Sequence, residues 1–87
     1  MASFLVYRHG SNAANQSMTP VKAVAIVDAN DKDTAERIAY QKVNCYNNQR
    51  LELVEEEDLT AEQVADWGDL LEEDALRRSN GLSGLTY

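Results

Sequence analysis

Val21-Lys22-Ala23-Val24-Ala25-Ile26-Val27, followed by Asp28-Ala29-Asn30-Asp31-Lys32-Asp33, is the stretch that decides the fold class. Its first seven residues are apolar apart from Lys22, which suits an inner strand covered on at least one face. The Asp and Asn residues that follow supply a turn and then a helix start. Asn30, Asp31 and Asp33 are each competent N-caps, and Asp33 with Glu36 has capping-box spacing. Beyond them Ala35, Ile38, Ala39, Val43 and Tyr46 fall on a single apolar stripe, the mark of a helix lying on a core. Asn44, Asn47 and Asn48 end it, because Asn tolerates the left-handed conformation at helix termini. Residues 50–54 then read as a short strand, with Leu51 and Leu53 on one face and Glu52 between them. Strand, helix and strand in this order predict a right-handed crossover between parallel strands.

Working outward from this unit, Phe4, Leu5, Val6 and Tyr7 predict a further strand over residues 3–8, added antiparallel to the second. Residues 8–20 are small and polar, punctuated by Gly10 and Pro20, and read as a long loop. On the other side, Glu55-Glu56-Glu57-Asp58 ends the third strand by charge repulsion. Thr60 and Gln63 then form a capping box, with Leu59 and Val64 spaced as a hydrophobic staple. The helix that follows runs to about Arg78, and Asn80-Gly81 stops it. The predicted class is α+β: a small three-stranded sheet in the order strand, long loop, strand, helix, strand, helix. One helix lies on a face, and the acidic amphipathic C-terminal helix covers the other face or projects toward a partner. Residues 1–81 form the single domain and residues 82–87 a C-terminal tail.

In the second helix Val64, Trp67, Leu71 and Ala75 share a stripe, with Leu70 and Leu76 beside it. Asp66, Asp69, Glu73 and Asp74 occupy the opposite face. The simplest expectation is that the stripe packs on the sheet and the acids face water. The alternative is a partner-facing helix with Trp67 as anchor and Leu70 and Leu71 beside it. Gly68 sits inside this helix at a cost of roughly 1 kcal/mol relative to Ala, which marks either a weak point or the close approach of another backbone.

The 87 residues are 44% hydrophobic and 26% charged, ordinary for one folded domain, and the formal net charge is −7. The charge is segregated. Residues 1–50 hold six Lys or Arg against four acids, net +2, whereas residues 51–87 hold eleven acids against Arg77 and Arg78, net −9. Excess negative charge argues against binding to nucleic acid or to an anionic membrane. It favours a protein partner with a basic surface, reached by electrostatic steering. No run is apolar enough for a membrane span or a signal-peptide core, so a cytoplasmic location is expected. Cys45 is the single cysteine, which rules out an intrachain disulfide and a cysteine zinc site. The acids at 55–58 lack the alternating ligands and glycine of a calcium loop, so no metal and no cofactor are expected.

Arg8-His9-Gly10 after a strand, with Asn15 five residues beyond Gly10, resembles the signature of the histidine phosphatase and phosphoglycerate mutase family. The resemblance covers eight residues. It implies His9 as the phosphorylated nucleophile and Arg8 as a phosphate ligand. That family uses a second histidine late in the chain, and His9 is the only histidine here. Cys45 and the serines 11 and 17 lack the partners of a nucleophilic triad. No catalytic residues are therefore assigned, and the chain is expected not to be an enzyme. The loop retains a binding potential of its own. Arg8, His9, Ser11, Asn12, Asn15 and Gln16 offer donors and acceptors to a polar ligand or to another chain's backbone.

The expectation drawn from these features is a small acidic interaction module, an accessory, regulatory or assembly subunit. It would bind another protein with a basic surface, or a second copy of itself. A small-molecule-binding or sequestering domain using the loop at 9–20 is the alternative, with a phosphohistidine enzyme behind it.

Overall fold

The computed structural model describes residues 1–11, 18–45 and 49–87. The chain forms β1 (Ala2–Ser11), β2 (Met18–Ala29), α1 (Lys32–Lys42), β3 (Gln49–Glu55), a single 3₁₀ turn (Glu56–Asp58) and α2 (Ala61–Ser79). This is the α+β domain that the order of apolar runs predicts.

The three strands lie in the order β2-β1-β3, and β1 is antiparallel to both neighbours. β2 and β3 are therefore parallel to each other, as the crossover reading requires, but they are not adjacent. β1 lies between them. Four consecutive residues explain why: Phe4, Leu5, Val6 and Tyr7 are all buried. Successive strand residues point to opposite faces, so only a strand covered on both sides buries four in a row. The inner strand is thus β1 rather than the Ala-rich β2.

Phe4 and Val6 meet Ala25, Val27, Leu51 and Leu53 on one face, which α1 covers with Ala35 and Ala39; Ile38, Val43 and Cys45 pack at its edge. Leu5, Tyr7 and Ile26 face the other way, onto Leu70 of α2, with Trp67, Leu59 and Val54 beside them. Asp31 caps α1, its carboxylate accepting from the Thr34 N–H at 2.7 Å. That hydrogen bond holds the Asp31 carboxyl below its ordinary range.

The long polar loop contracts. β1 and β2 stay paired as far as Ser11 with Met18, so most of the stretch assigned to loop is a hairpin ribbon. Polar side chains mislead there because the sheet runs on past its apolar core: β1 also pairs with β3 as far as Gly10 with Gln49, where Arg8 and His9 are only partly buried. Two irregularities interrupt this pairing: Val6 pairs with Ala25 and Tyr7 with Ala23, which leaves Val24 as the extra residue of a β-bulge, and a second register shift falls between Arg8 and Gly10.

Residues 85–87 add a short parallel segment to the outer edge of β2. The Ile26 N–H donates to the Leu85 carbonyl (3.0 Å), the Tyr87 N–H to the Ile26 carbonyl (2.8 Å) and the Asp28 N–H to the Tyr87 carbonyl (2.7 Å). No helix among the described residues is long and apolar enough to cross a membrane.

Candidate functional site

The candidate site is the outer face of α2, and its exposure follows from how the helix is anchored. The capping box fixes the start: the Gln63 N–H donates to Thr60 Oγ1 (3.2 Å), and the Thr60 N–H donates to Gln63 Oε1 (2.9 Å). Gly81 fixes the end. With φ +76° it occupies the left-handed region, its N–H bonding the Arg78 carbonyl and that of Leu82 the Arg77 carbonyl.

Between these ends the helix docks by its polar side. The Tyr7 hydroxyl donates to Asp66 Oδ2 at 2.8 Å. Asp74 accepts from the Leu85 N–H and from Arg78 Nε at 3.0 Å, and Arg78 Nη2 reaches Thr86 Oγ1 at 3.0 Å. Asp74 is among the most buried residues of the helix. Its hydrogen bond from Leu85, supported by Arg78, lowers its carboxyl from the ordinary value. Burial, reinforced by Asp66, pushes the Tyr7 hydroxyl upward, so it remains a donor.

These anchors rotate the helix away from the simplest expectation. Leu70 is buried against the sheet and Trp67 is partly buried beside it. The rest of the apolar stripe faces outward: Val64 is 56% exposed, Leu71 45%, and Ala75 is exposed. Leu76, at the flank, is 61% exposed. The staple does not close either, since Leu59 turns to the sheet while Val64 stays outside. The acids divide in a way that charge patterning alone does not reveal. Asp66 and Asp74 turn inward to named donors, whereas Glu62, Asp69, Glu72 and Glu73 are exposed. A buried carboxylate is tolerated only where hydrogen bonds replace its water.

Val64, Gly68, Leu71 and Ala75 recur at i, i+4, i+7 and i+11, one continuous face. Among the described residues nothing lies within 4 Å of where a Gly68 Cβ would stand, so no contact there accounts for this glycine. Gly68 lies between Val64 and Leu71 on this face and Ala75 one turn beyond Leu71, so the face carries two small residues beside two exposed apolar ones. Gly68 and Ala75 joined the candidate surface only once the helix orientation was known. The signal available in sequence was Asp74 four residues before Arg78, a pair that marks its own side of the helix.

The loop candidates separate. Arg8 and His9 are consecutive strand residues and so face opposite sides of the sheet. Arg8 donates to the Asn44 carbonyl (3.1 Å) on the α1 side. His9 Nε2 pairs with Glu52 Oε1 at 2.7 Å on the α2 side. The two therefore do not converge on one ligand. Ser11 ends β1; Asn12, Asn15 and Gln16 lie outside the described residues. Among the described residues no group of three His, Cys, Asp or Glu side chains is placed to hold a metal ion.

Comparison with family models, with curated proteins and with solved structures gives no match. The functional reading therefore rests on geometry and chemistry.

Proposed function

We propose that this chain is a small non-enzymatic interaction module, an accessory or regulatory subunit of the cytoplasm, which presents the outer face of α2 to another protein. The observation that carries the reading is the outward stripe: Val64 and Leu71 stand about half exposed on one helix face, with Gly68 open between them. An apolar helix face rimmed by polar residues is the anatomy of a helix-docking surface.

The acids of the helix set the partner's chemistry. Glu72 flanks the stripe, Glu62, Asp69 and Glu73 are exposed on the far side of the same helix, and from Glu52 to Asp74 the sequence has no Lys or Arg. A second copy of the same face would bring like charges together. A partner helix with an apolar stripe flanked by Lys or Arg is complementary.

A synthetic amphipathic Leu/Lys helical peptide, titrated by fluorescence anisotropy, tests this. Binding is expected, weakening as the Debye length falls from about 10 Å at 0.1 M salt to 3 Å at 1 M. The double variant Val64→Asp, Leu71→Asp should keep its circular dichroism and melting temperature while losing the peptide. A variant that binds as well as the parent chain would refute the reading. Light scattering of the protein alone, expected to give a monomer, checks the like-charge argument.

A further inference from the structure

The second surface lies where α2 meets the outer edge of β2, in a cleft of about 270 Å³ beside the segment at 85–87. Arg8, Lys22, Lys42 and Arg77 line it, with Leu70 and Leu85, and Glu73 is its one carboxylate. Lys22 also borders an adjoining hollow with Asp66, Asp69 and Glu73, but none of the four cations is held in an ion pair among the described residues, so in a chain of net charge −7 their gathering needs a reason. The ion pairs among the described residues are His9 with Glu52 and Arg78 with Asp74. Arg8 and Arg77 each donate to a main-chain carbonyl, of Asn44 and Ser83. Lys22 and Lys42 are exposed.

The cleft floor is a strand edge. The bonds to Leu85 and Tyr87 occupy β2 at Ile26 and Asp28. Upstream of Val24 no further strand pairs with the outer edge of β2 among the described residues. That edge already accepts one extended segment of this chain. Unpaired strand edges take up extended peptides through main-chain hydrogen bonds, with specificity from alternate side chains.

We propose that this edge binds an extended acidic peptide as an added strand, with acids at every second residue. Arg8 and Lys22 are cross-strand partners and so share the α1 face, where Lys42 also lies. Leu70 and Leu85 belong to the α2 face. Side chains of an added strand alternate between the two. Acidic positions meet Arg8, Lys22 and Lys42, and the intervening apolar positions meet Leu70 and Leu85. A small anion would use the cations but neither the edge nor the leucines. The surface is distinct from the outer face of α2, since neither Val64 nor Leu71 lines it.

Fluorescein-labelled Val-Glu-Val-Glu-Val-Glu is the probe, read by anisotropy. It is compared with the block peptide Val-Val-Val-Glu-Glu-Glu and with the alternating peptide N-methylated at every second backbone nitrogen. The alternating peptide should bind about tenfold more tightly than the block peptide, and one of the two methylation registers should abolish binding. The double variant Lys22→Glu, Lys42→Glu changes two exposed side chains, so its melting temperature should hold while affinity falls about tenfold or more. Val64→Asp, Leu71→Asp should leave this binding unchanged, which separates failure here from failure of the α2 reading. Three results would overturn the proposal: no binding of the alternating peptide, equal binding of the block peptide, or indifference to methylation. Indifference to methylation with full competition by inorganic phosphate would reassign the cleft to small anions.

Discussion

Leu70 and Leu71 are adjacent and chemically identical, yet one is 3% exposed and the other 45%. That difference makes the helix orientation measurable. Leu70→Ala opens a cavity against Leu5, Tyr7 and Ile26 and should cost about 2–5 kcal/mol in urea unfolding. Leu71→Ala should stay within about 0.5 kcal/mol, as surface changes do. The reverse order would place the outward stripe on the sheet. Asp74 gives a second test at this scale. Its carboxyl is lowered in the folded chain by the Leu85 N–H and by Arg78, so the folded state prefers the ionised form. The stability that follows is complete above the unfolded value, about 3.9, and is lost as pH falls through the lower folded value. Asp74→Asn resembles the protonated acid. The melting temperatures of parent and variant should differ at pH 7 and converge as pH drops below about 4. A gap that stays constant from pH 7 to pH 2 would separate Asp74 from acid unfolding.

At the scale of elements, local signals were legible and long-range ones were not. Thr60 and Gln63 announce the start of α2, because the box satisfies backbone donors within one turn whatever the rest of the chain does. Thr60→Ala should therefore destabilise the domain by about 1 kcal/mol, as read by thermal unfolding. An unchanged melting temperature would mean that α2 draws its order from packing alone. Asp31, Asn80 and Gly81 are legible for the same reason. The rotation of α2 is not, because it depends on donors brought from afar: the Tyr7 hydroxyl for Asp66 and the Leu85 N–H for Asp74. Read alone, Val64, Leu71 and Ala75 look like the core face, and two acids that are hydrogen-bonded inward look solvated. Strand order is hidden in the same way. A parallel crossover from β2 to β3 is implied by sequence, but the insertion of β1 between them follows from its burial on both sides. The candidate site inherits both cases. Its residues were visible as a stripe, while its exposure came only from the inward bonds of the other face.

For the molecule as a whole, the charge segregated along the sequence is partly segregated in space. Exposed acids are concentrated on α2, and four cations converge on the β2 edge, where Glu73 of α2 meets them. The segment at 85–87 ties the two regions together, bonding β2 through Ile26 and Asp28 while its Leu85 N–H holds Asp74 of α2. A domain this small has a modest core, so such a tie contributes a sizeable share of its stability. Deleting residues 85–87 removes three backbone hydrogen bonds to β2 and should lower stability by about 3 kcal/mol, roughly 1 kcal/mol for each. It also bares the remaining edge of β2, so light scattering should show concentration-dependent association that the full chain lacks. The two effects have a common origin, which a double-mutant cycle isolates. Asp74→Asn should destabilise the full chain more than the shortened one, because the Leu85 donor is already gone from the latter. Strict additivity would mean that Asp74 and the segment act independently, and the orientation of α2 would then rest on Tyr7, Asp66 and the packing of Leu70 and Trp67.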